Sequence, residues 1–446
     1  MSALPANYNS TYILFISFIS ALGGYLFGFD FAVIAGALPF LKQQFGLNEY
    51  WEGFATASLA IGCIAGCLVA GRVSDTYGRR LALMIAAIIF FFSSLAMAMS
   101  SHLTFFIVSR FFAGVGVGMA SMLAPLYIAE IAPAHIRGRM VSINQLTIVL
   151  GILLTNIFNY LLRNEGAQAW RWMFGLGAVP SLLFFIGVMF LPESPRWLFG
   201  KGLTERAEKV LRKIGGAGHM TESMKKMEKS NAGSEPANYK SLLGKAFLPS
   251  VLIGIALAVF QQFCGINVVF NFTTTIFESI GFNQEGQLRQ TVFVGVINLI
   301  FTVVAMWQVD KIGRKPLMLF GAGALAVLYV FSAVLLKANS SFAAWTLLGA
   351  IGAYAMSLAP ITWVLISEIF PVSVRGAATS VAVIFLWVAY GLLVFTFPVV
   401  AHAMGTYTPF YIYAAICVIG FVFVWFKVKE TKGKALEDID AVMSGH

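Results

Sequence analysis

Twelve stretches of this chain are apolar over about the length a helix needs to cross a bilayer, and they fall into two sets of six. The first set covers residues 12–36, 53–71, 81–99, 104–130, 140–162 and 170–191; the second covers 246–276, 290–309, 316–337, 343–369, 376–401 and 407–426. Within hydrocarbon every backbone group must be satisfied inside its own segment, so these runs predict an all-α membrane protein. The net charge of +10 then acquires meaning from position. Of 30 lysines and arginines, 24 lie in alternate loops (counting the central segment and the C-terminal tail), five in the intervening loops, and Arg110 within a span. By the positive-inside rule both termini and the central loop are expected to be cytoplasmic, and the basic excess marks topology rather than nucleic-acid binding.

The expected layout is a six-helix bundle over 1–191, a cytoplasmic helical linker over 192–245, a second six-helix bundle over 246–427 and a cytoplasmic tail over 428–446. Leu203, Ala207, Val210, Leu211 and Ile214 recur on one face, which predicts short amphipathic helices in the linker. Residues 215–238, with GGAG and NAGSEPAN, read as flexible. The halves also repeat. DTYGRR at 75–80 returns as DKIGRK at 310–315, EIAPAHIRG at 130–138 as EIFPVSVRG at 368–376, and ESPR at 193 loosely as ETKG at 430. Six spans per copy keep both copies in one orientation, a parallel repeat about an axis along the membrane normal. Two such bundles enclose a cleft that can open to either side, as an alternating-access carrier requires.

Three amides stand out in the run 246–272: Gln261, Gln262 and Asn267. An unpaired amide in hydrocarbon is costly, so they argue for a water-filled cavity or a polar ligand. Each offers donor and acceptor, which suits a neutral ligand rich in hydroxyls, such as a sugar. On a straight helix Asn267 would point away from the two glutamines, and Gly265 between them predicts a break that brings all three together. The plainer alternative is that they tie helix to helix.

Asp30 and Arg110 are the deeply placed carboxylate and cation of the first half. Opposite charges in such a setting are expected to pair, either as structure or as a switch in which a proton on Asp30 releases Arg110. Arg72, Asp75, Arg79 and Arg80, with Asp310, Arg314 and Lys315, fall at loop ends beside Glu130, Arg137, Glu193, Arg196, Glu368 and Arg375. Their duplication favours salt bridges between the bundles that hold the cytoplasmic side closed in the outward-open state; the plainer alternative is solvated loop charges that set topology.

The motifs GRVSDTYGRR (71–80), RFFAGVGVGMASMLAPLYIAEIAPAHIRGR (110–139), PESPRWL (192–198), QQFCGINVVF (261–270), VDKIGRK and SEIFPVSVRG occur in an order and spacing that resemble the sugar porter family of the major facilitator superfamily over nearly the whole chain. The resemblance implies twelve transmembrane helices in two pseudo-symmetric six-helix bundles with a cytoplasmic helical linker. It carries over Phe27, Gln145, Gln261, Gln262, Asn267, Asn298 and Trp363 as sugar contacts, Trp363 offering a flat face to the ring. It also implies that Asp30, where proton symporters of the family tend to have Asp, couples transport to protons. Asn271 and Phe272 stand where two tyrosines are usual, and Leu386 where Gln or Asn is common. Asn271 is thus a candidate extra contact, and the sugar's identity is left open.

The expected function is import of a hexose or pentose with a proton. The alternatives are an uncoupled sugar or polyol facilitator and, from another class, a sugar sensor that does not transport. No nucleophile with its base, paired catalytic carboxylates or metal cluster marks an enzyme, and no cofactor is expected. Cys63 and Cys67, four apart, have no third ligand beside them and read as packing residues. With no basic n-region or cleavage site before Tyr12, the first span is expected to stay in the mature protein. The expected partners are a monosaccharide, protons and the lipid of a bacterial inner membrane, with no nucleic acid, and the chain is expected to work as a monomer.

Overall fold

The computed structural model describes residues 8–133, 136–231, 242, 244, 247–370 and 374–430. The first six spans are α1 (Ser10–Phe45), α2 (Glu49–Tyr77), α3 (Arg79–Ala98), α4 (Leu103–Ile131), α5 (Arg137–Leu161) and a divided helix, α6 (Ala169–Gly175) with α7 (Ala178–Met189). Two linker helices follow, α8 (Pro195–Gly200) and α9 (Thr204–Asn231). The second six are α10 (Leu248–Phe263) continued by α11 (Ile266–Asn271) and α12 (Thr273–Glu278), then α13 (Gln284–Ile312), α14 (Arg314–Lys337), α15 (Ala343–Met356) with α16 (Leu358–Ile369), α17 (Arg375–Met404) and α18 (Thr408–Lys427). Twelve of these units are long and apolar enough to cross a membrane. Among the described residues there is no strand.

Helix starts follow local chemistry. The side chains of Asn9, Asn48 and Asn283 accept from backbone N–H groups in the first turns of α1, α2 and α13, supplying partners that a helix N-terminus lacks. Small residues then let helices approach backbone to backbone. A Cβ at Gly28 would stand 2.0 Å from the carbonyl oxygen of Ile148, so α1 lies directly on α5 two residues before Asp30.

The two bundles meet through α2 with α17, α5 with α13, and α1 with α11 and α12. The polar links between them lie at the end away from the basic loops: Glu49 to His402 at 3.2 Å, Arg163 to Glu285 at 3.5 Å, and the Asn156 amide to the Thr291 carbonyl at 2.8 Å. Tyr50 packs edge-on against Phe395 at the same end, 5.3 Å between ring centres. In this conformation the cleft is closed there.

Gly265 breaks the seventh span as expected, with φ +85°. The break is doubly enforced, because a Cβ at this position would lie 2.3 Å from the Tyr413 ring. Gly265→Ala therefore incurs left-handed backbone strain of roughly 1–2 kcal/mol and overpacking of roughly 1–3 kcal/mol. The expected outcome is a clear fall in the thermal midpoint of the purified protein.

The linker departs from expectation in two ways. Ala207 and Leu211 are buried as predicted, but Leu203 is 39% exposed and Ile214 packs into the main core beneath α1, where its carbonyl accepts from Asn9 N at 2.9 Å. The stretch from Gly215, expected to be flexible, kinks at Gly215 and Gly216 and resumes as helix to Asn231. Met220, Met224 and Met227, at i, i+4 and i+7, fold back on Leu198, Ala207 and Leu211, which is the apolar stripe a helix needs. Residues 232–241 and the tail from 431 lie outside the described residues.

Candidate functional site

The break at Gly265 does what the amide spacing required. Gln262 stands at the centre of a buried chain: its Oε1 accepts from Asn267 Nδ2, and its Nε2 donates to Gln261 Oε1 at 3.4 Å. Gln261 Nε2 donates in turn to the carbonyls of Leu358 and Ala359, at 3.5 and 3.4 Å. Just before these two residues Ser357, with φ −129° and ψ −87°, interrupts the tenth span between α15 and α16. Two broken helices therefore meet at one polar cluster, with Gln261, Gln262 and Asn267 2, 6 and 6% exposed. Irregular backbone at membrane depth is tolerated where it lines a site. The second break falls just before Pro360, which has no N–H to donate to the Met356 carbonyl, a signal the sequence analysis did not use.

Asn271 differs from the other amides. It is fully buried, donates to the Asn267 carbonyl at 2.7 Å and accepts from the Tyr390 hydroxyl at 3.2 Å. Both ends of its amide are engaged by protein, so it ties α11 to α17 instead of presenting a free group. Tyr390 packs on Trp387 at 5.7 Å and Trp387 on Phe27 at 5.6 Å between ring centres, which joins Phe27 to the amide chain through aromatic contacts. Trp387 and Tyr390 escaped the sequence reading because aromatic residues are common throughout these spans.

Gln145 on α5, Asn298 on α13 and Trp363 on α16 carry no hydrogen bond to another described residue and stand on three other helices. Trp363 is 40% exposed while its neighbours Ile361 and Thr362 are fully buried. Leu386 is buried at 4% and presents no polar group.

Asp30 and Arg110 pair, both with zero exposure, through a single contact of 3.5 Å between Oδ1 and Nη1. Asp30 Oδ2 and Arg110 Nε and Nη2 have no partner among the described residues, and the guanidinium lies 5.6 Å from the centre of the Phe174 ring. Desolvating two charges for one long contact is poor compensation.

At the basic end each bundle holds its own ion pairs. Arg79 engages Glu130 through Nε at 3.1 Å and Nη2 at 3.2 Å, and Asp75 through Nη1 at 3.0 Å. Glu193 accepts from the backbone N–H of Arg79 at 2.8 Å and of Arg80 at 3.2 Å, capping α3. The second half repeats this: Arg314 reaches Glu368 at 3.3 Å, and Glu430 accepts from the N–H of Arg314 and of Lys315, both at 3.0 Å. The loose match between ESPR and ETKG thus reflects one carboxylate cap used twice, and Glu430 is a site residue the sequence reading did not single out. The bridges expected between the bundles belong to the outward-open state; in this conformation, closed at the other end, the pairs described staple helices within one bundle. Arg80 donates to the Met189 carbonyl at 2.5 Å, while Arg72, Arg137 and Arg196 are exposed and have no ion pair among the described residues. The side chains of Asp310 and Arg375 lie outside those described.

Burial raises the Glu193 carboxyl above its usual 4.5, against the N–H donors of Ser194, Arg80 and Arg79 that favour its charged form. A carboxyl raised in the folded state contributes most below 4.5, and that contribution is lost as pH rises through the folded value. Glu193→Gln is expected to flatten this part of the pH dependence of the thermal midpoint; an unchanged slope would show that another group sets it.

A family profile described as "Sugar (and other) transporter" matches residues 16–443. The chain is 41% identical to a putative metabolite transport protein of Bacillus subtilis, covering 96% of this chain and 94% of that one. It is 39% identical to the D-xylose-proton symporter of Escherichia coli K12, covering 98% and 97%. Its fold superposes on a partially occluded, inward-open structure of the E. coli xylose transporter with a TM-score of 0.86 at 37% identity, covering 96% of this chain and all of the other.

Proposed function

The chain belongs to the sugar transporter family, and from that premise we propose that it imports a monosaccharide together with a proton by alternating access. It is a multi-pass membrane protein, and the basic loops and both termini are assigned to the cytoplasm. The bilayer is that of a bacterial inner membrane, and one chain is the working unit.

The observation that carries the sugar assignment is the chain of Gln261, Gln262 and Asn267 at the junction of two broken helices. Such a cluster can exchange its internal hydrogen bonds for those of hydroxyl groups without leaving a buried amide unpaired. Gln145 and Asn298 supply further donors and acceptors, and Trp363 and Phe27 supply faces for the C–H side of a ring. Asn271 sets the position of α11, so that it shapes the site without taking a hydroxyl. Leu386 removes one polar partner, which favours a sugar with one fewer hydroxyl to satisfy; a pentose such as the xylose of the E. coli relative fits this description.

Proton coupling is assigned to Asp30 and Arg110. The clusters around Arg79 and Arg314 act as cytoplasmic gate elements that keep each bundle rigid in the state described here and supply charges for contacts between bundles in the opposite state.

The test is uptake into proteoliposomes of labelled xylose, arabinose, glucose, galactose, fructose and inositol, with and without an inside-alkaline gradient. Accumulation of one sugar above equilibrium under the gradient is expected. Equilibration without accumulation would make the protein a facilitator, and no uptake of any would favour a sensor.

A further inference from the structure

At the outer end of the molecule one carboxylate is buried between the bundles. Glu52, in the first turn of α2, is 4% exposed. Lys42 Nζ of α1 lies 2.9 Å from its Oε2, and Thr275 Oγ1 of α12 donates to its Oε1 at 3.1 Å. Lys42 also donates to the Thr275 hydroxyl at 3.5 Å, which closes a triangle: the hydroxyl gives its proton to the carboxylate and accepts one from the ammonium. The preceding residue fastens the same short helix, since Thr274 Oγ1 donates to the Ala35 carbonyl of α1 at 2.7 Å. α12 follows directly on α11, which carries Asn267 and Asn271.

We propose that Lys42, Glu52 and Thr275 form the outer latch of the transport cycle, holding α12 against α1 when the cleft is closed to the outside and releasing it when the cleft opens outward. The other ion pairs across this end are less placed to do so. His402 is 71% exposed in its pair with Glu49, and Glu285 is 56% exposed in its pair with Arg163; exposed pairs of this kind contribute little. Glu52 is different because a carboxylate so buried is unfavourable without its partners. Once α12 withdraws, water reaches Glu52 and Lys42 and replaces the hydroxyl. Contacts made in one state only are what bias an equilibrium between two.

Lys42 and Glu52 both belong to the first bundle, whereas Thr275 belongs to the second, and this separates the latch from simple helix stability. Thr275→Val is nearly isosteric, removes the bridge and leaves the ion pair within its own bundle. Thr275→Ser keeps the hydroxyl. Spin labels at Gln44→Cys and Gln284→Cys, exposed at the outer ends of α1 and α13, report the opening, and the four native thiols are all buried. Thr275→Val is expected to add a population at longer distance, with Thr275→Ser indistinguishable from the parent. The apparent KM for sugar added outside should fall about threefold in Thr275→Val as more molecules face outward. The inference rests on the transporter assignment, but the distance measurement uses no sugar. A longer population without any sugar uptake would therefore support the latch while overturning the transport assignment. Identical distance distributions for Thr275→Val, Thr275→Ser and the parent would overturn the latch.

Discussion

Asp30→Asn is expected to abolish accumulation driven by a pH gradient while leaving exchange of labelled sugar across equilibrated membranes in place. With one proton carried per sugar, each unit of pH gradient supports about tenfold accumulation at equilibrium; the variant should plateau at the level set by diffusion alone. The physical reason lies in the pair itself. Asp30 meets Arg110 through one 3.5 Å contact, with its second oxygen and two of the three guanidinium nitrogens left without partners. Adding a proton to Asp30 removes a charge from a site that compensates it poorly and frees Arg110 to shift toward Phe174. Asparagine mimics the protonated carboxyl permanently, so the conformational change no longer depends on proton supply. Full gradient-driven accumulation by the variant would reduce the pair to structure. Arg110→Gln provides the counterpart, leaving Asp30 as an uncompensated buried charge at a cost of roughly 3–5 kcal/mol. Asp30→Asn leaves the buried Arg110 guanidinium uncompensated in the same way, so both variants should lower the thermal midpoint.

The spans were legible in the sequence because hydrocarbon imposes one requirement on every helix alike, and runs of apolar residues register it directly. The break at Gly265 was legible for a second reason: three amides spaced so that no straight helix could bring them together. The break between α15 and α16 had a cue in Pro360, which cannot donate to the Met356 carbonyl, but no cluster of polar residues beside it drew attention to it. Glu52 was hidden differently. It falls in the first turn of α2, as Glu49 does, and a carboxylate near a helix N-terminus is common for electrostatic reasons alone. Its burial depends on Lys42 and on Thr275, 223 positions away in the chain.

The charged repeats show a further limit. The repeated DTYGRR and EIAPAHIRG segments identified Arg79, Glu130, Arg314 and Glu368, but repetition does not say which copy pairs with which. Each bundle contains both signs, so Arg79 can pair with Glu130 and Arg314 with Glu368 within their own bundles, and in this conformation they do. The presence of both signs in each bundle allows an exchange of partners in another state. Glu193 and Glu430 remain caps on α3 and α14 in either arrangement, because their partners are backbone N–H groups of the helices themselves.

Gln262→Ala is expected to cause the largest loss of sugar affinity of any single amide truncation. Gln262 joins the chain in the middle: removing it leaves Gln261 Oε1 without its donor and Asn267 Nδ2 without its acceptor. Each buried polar group deprived of a partner costs about 1–3 kcal/mol, and the truncation also removes whatever hydroxyl Gln262 itself would take. An affinity loss of about 100-fold follows if two such terms fall on the bound state. Gln145→Ala removes a side chain with no internal hydrogen bond, so it loses one contact and should weaken binding about tenfold or less. Asn271→Ala falls in neither class. Its amide is engaged by Asn267 and Tyr390, and its loss should lower the thermal midpoint together with affinity. Calorimetric titration of the purified variants with the transported sugar ranks the three. If Gln145→Ala weakened binding more than Gln262→Ala, the amide chain would be a structural tie between broken helices, and the sugar would sit closer to α5.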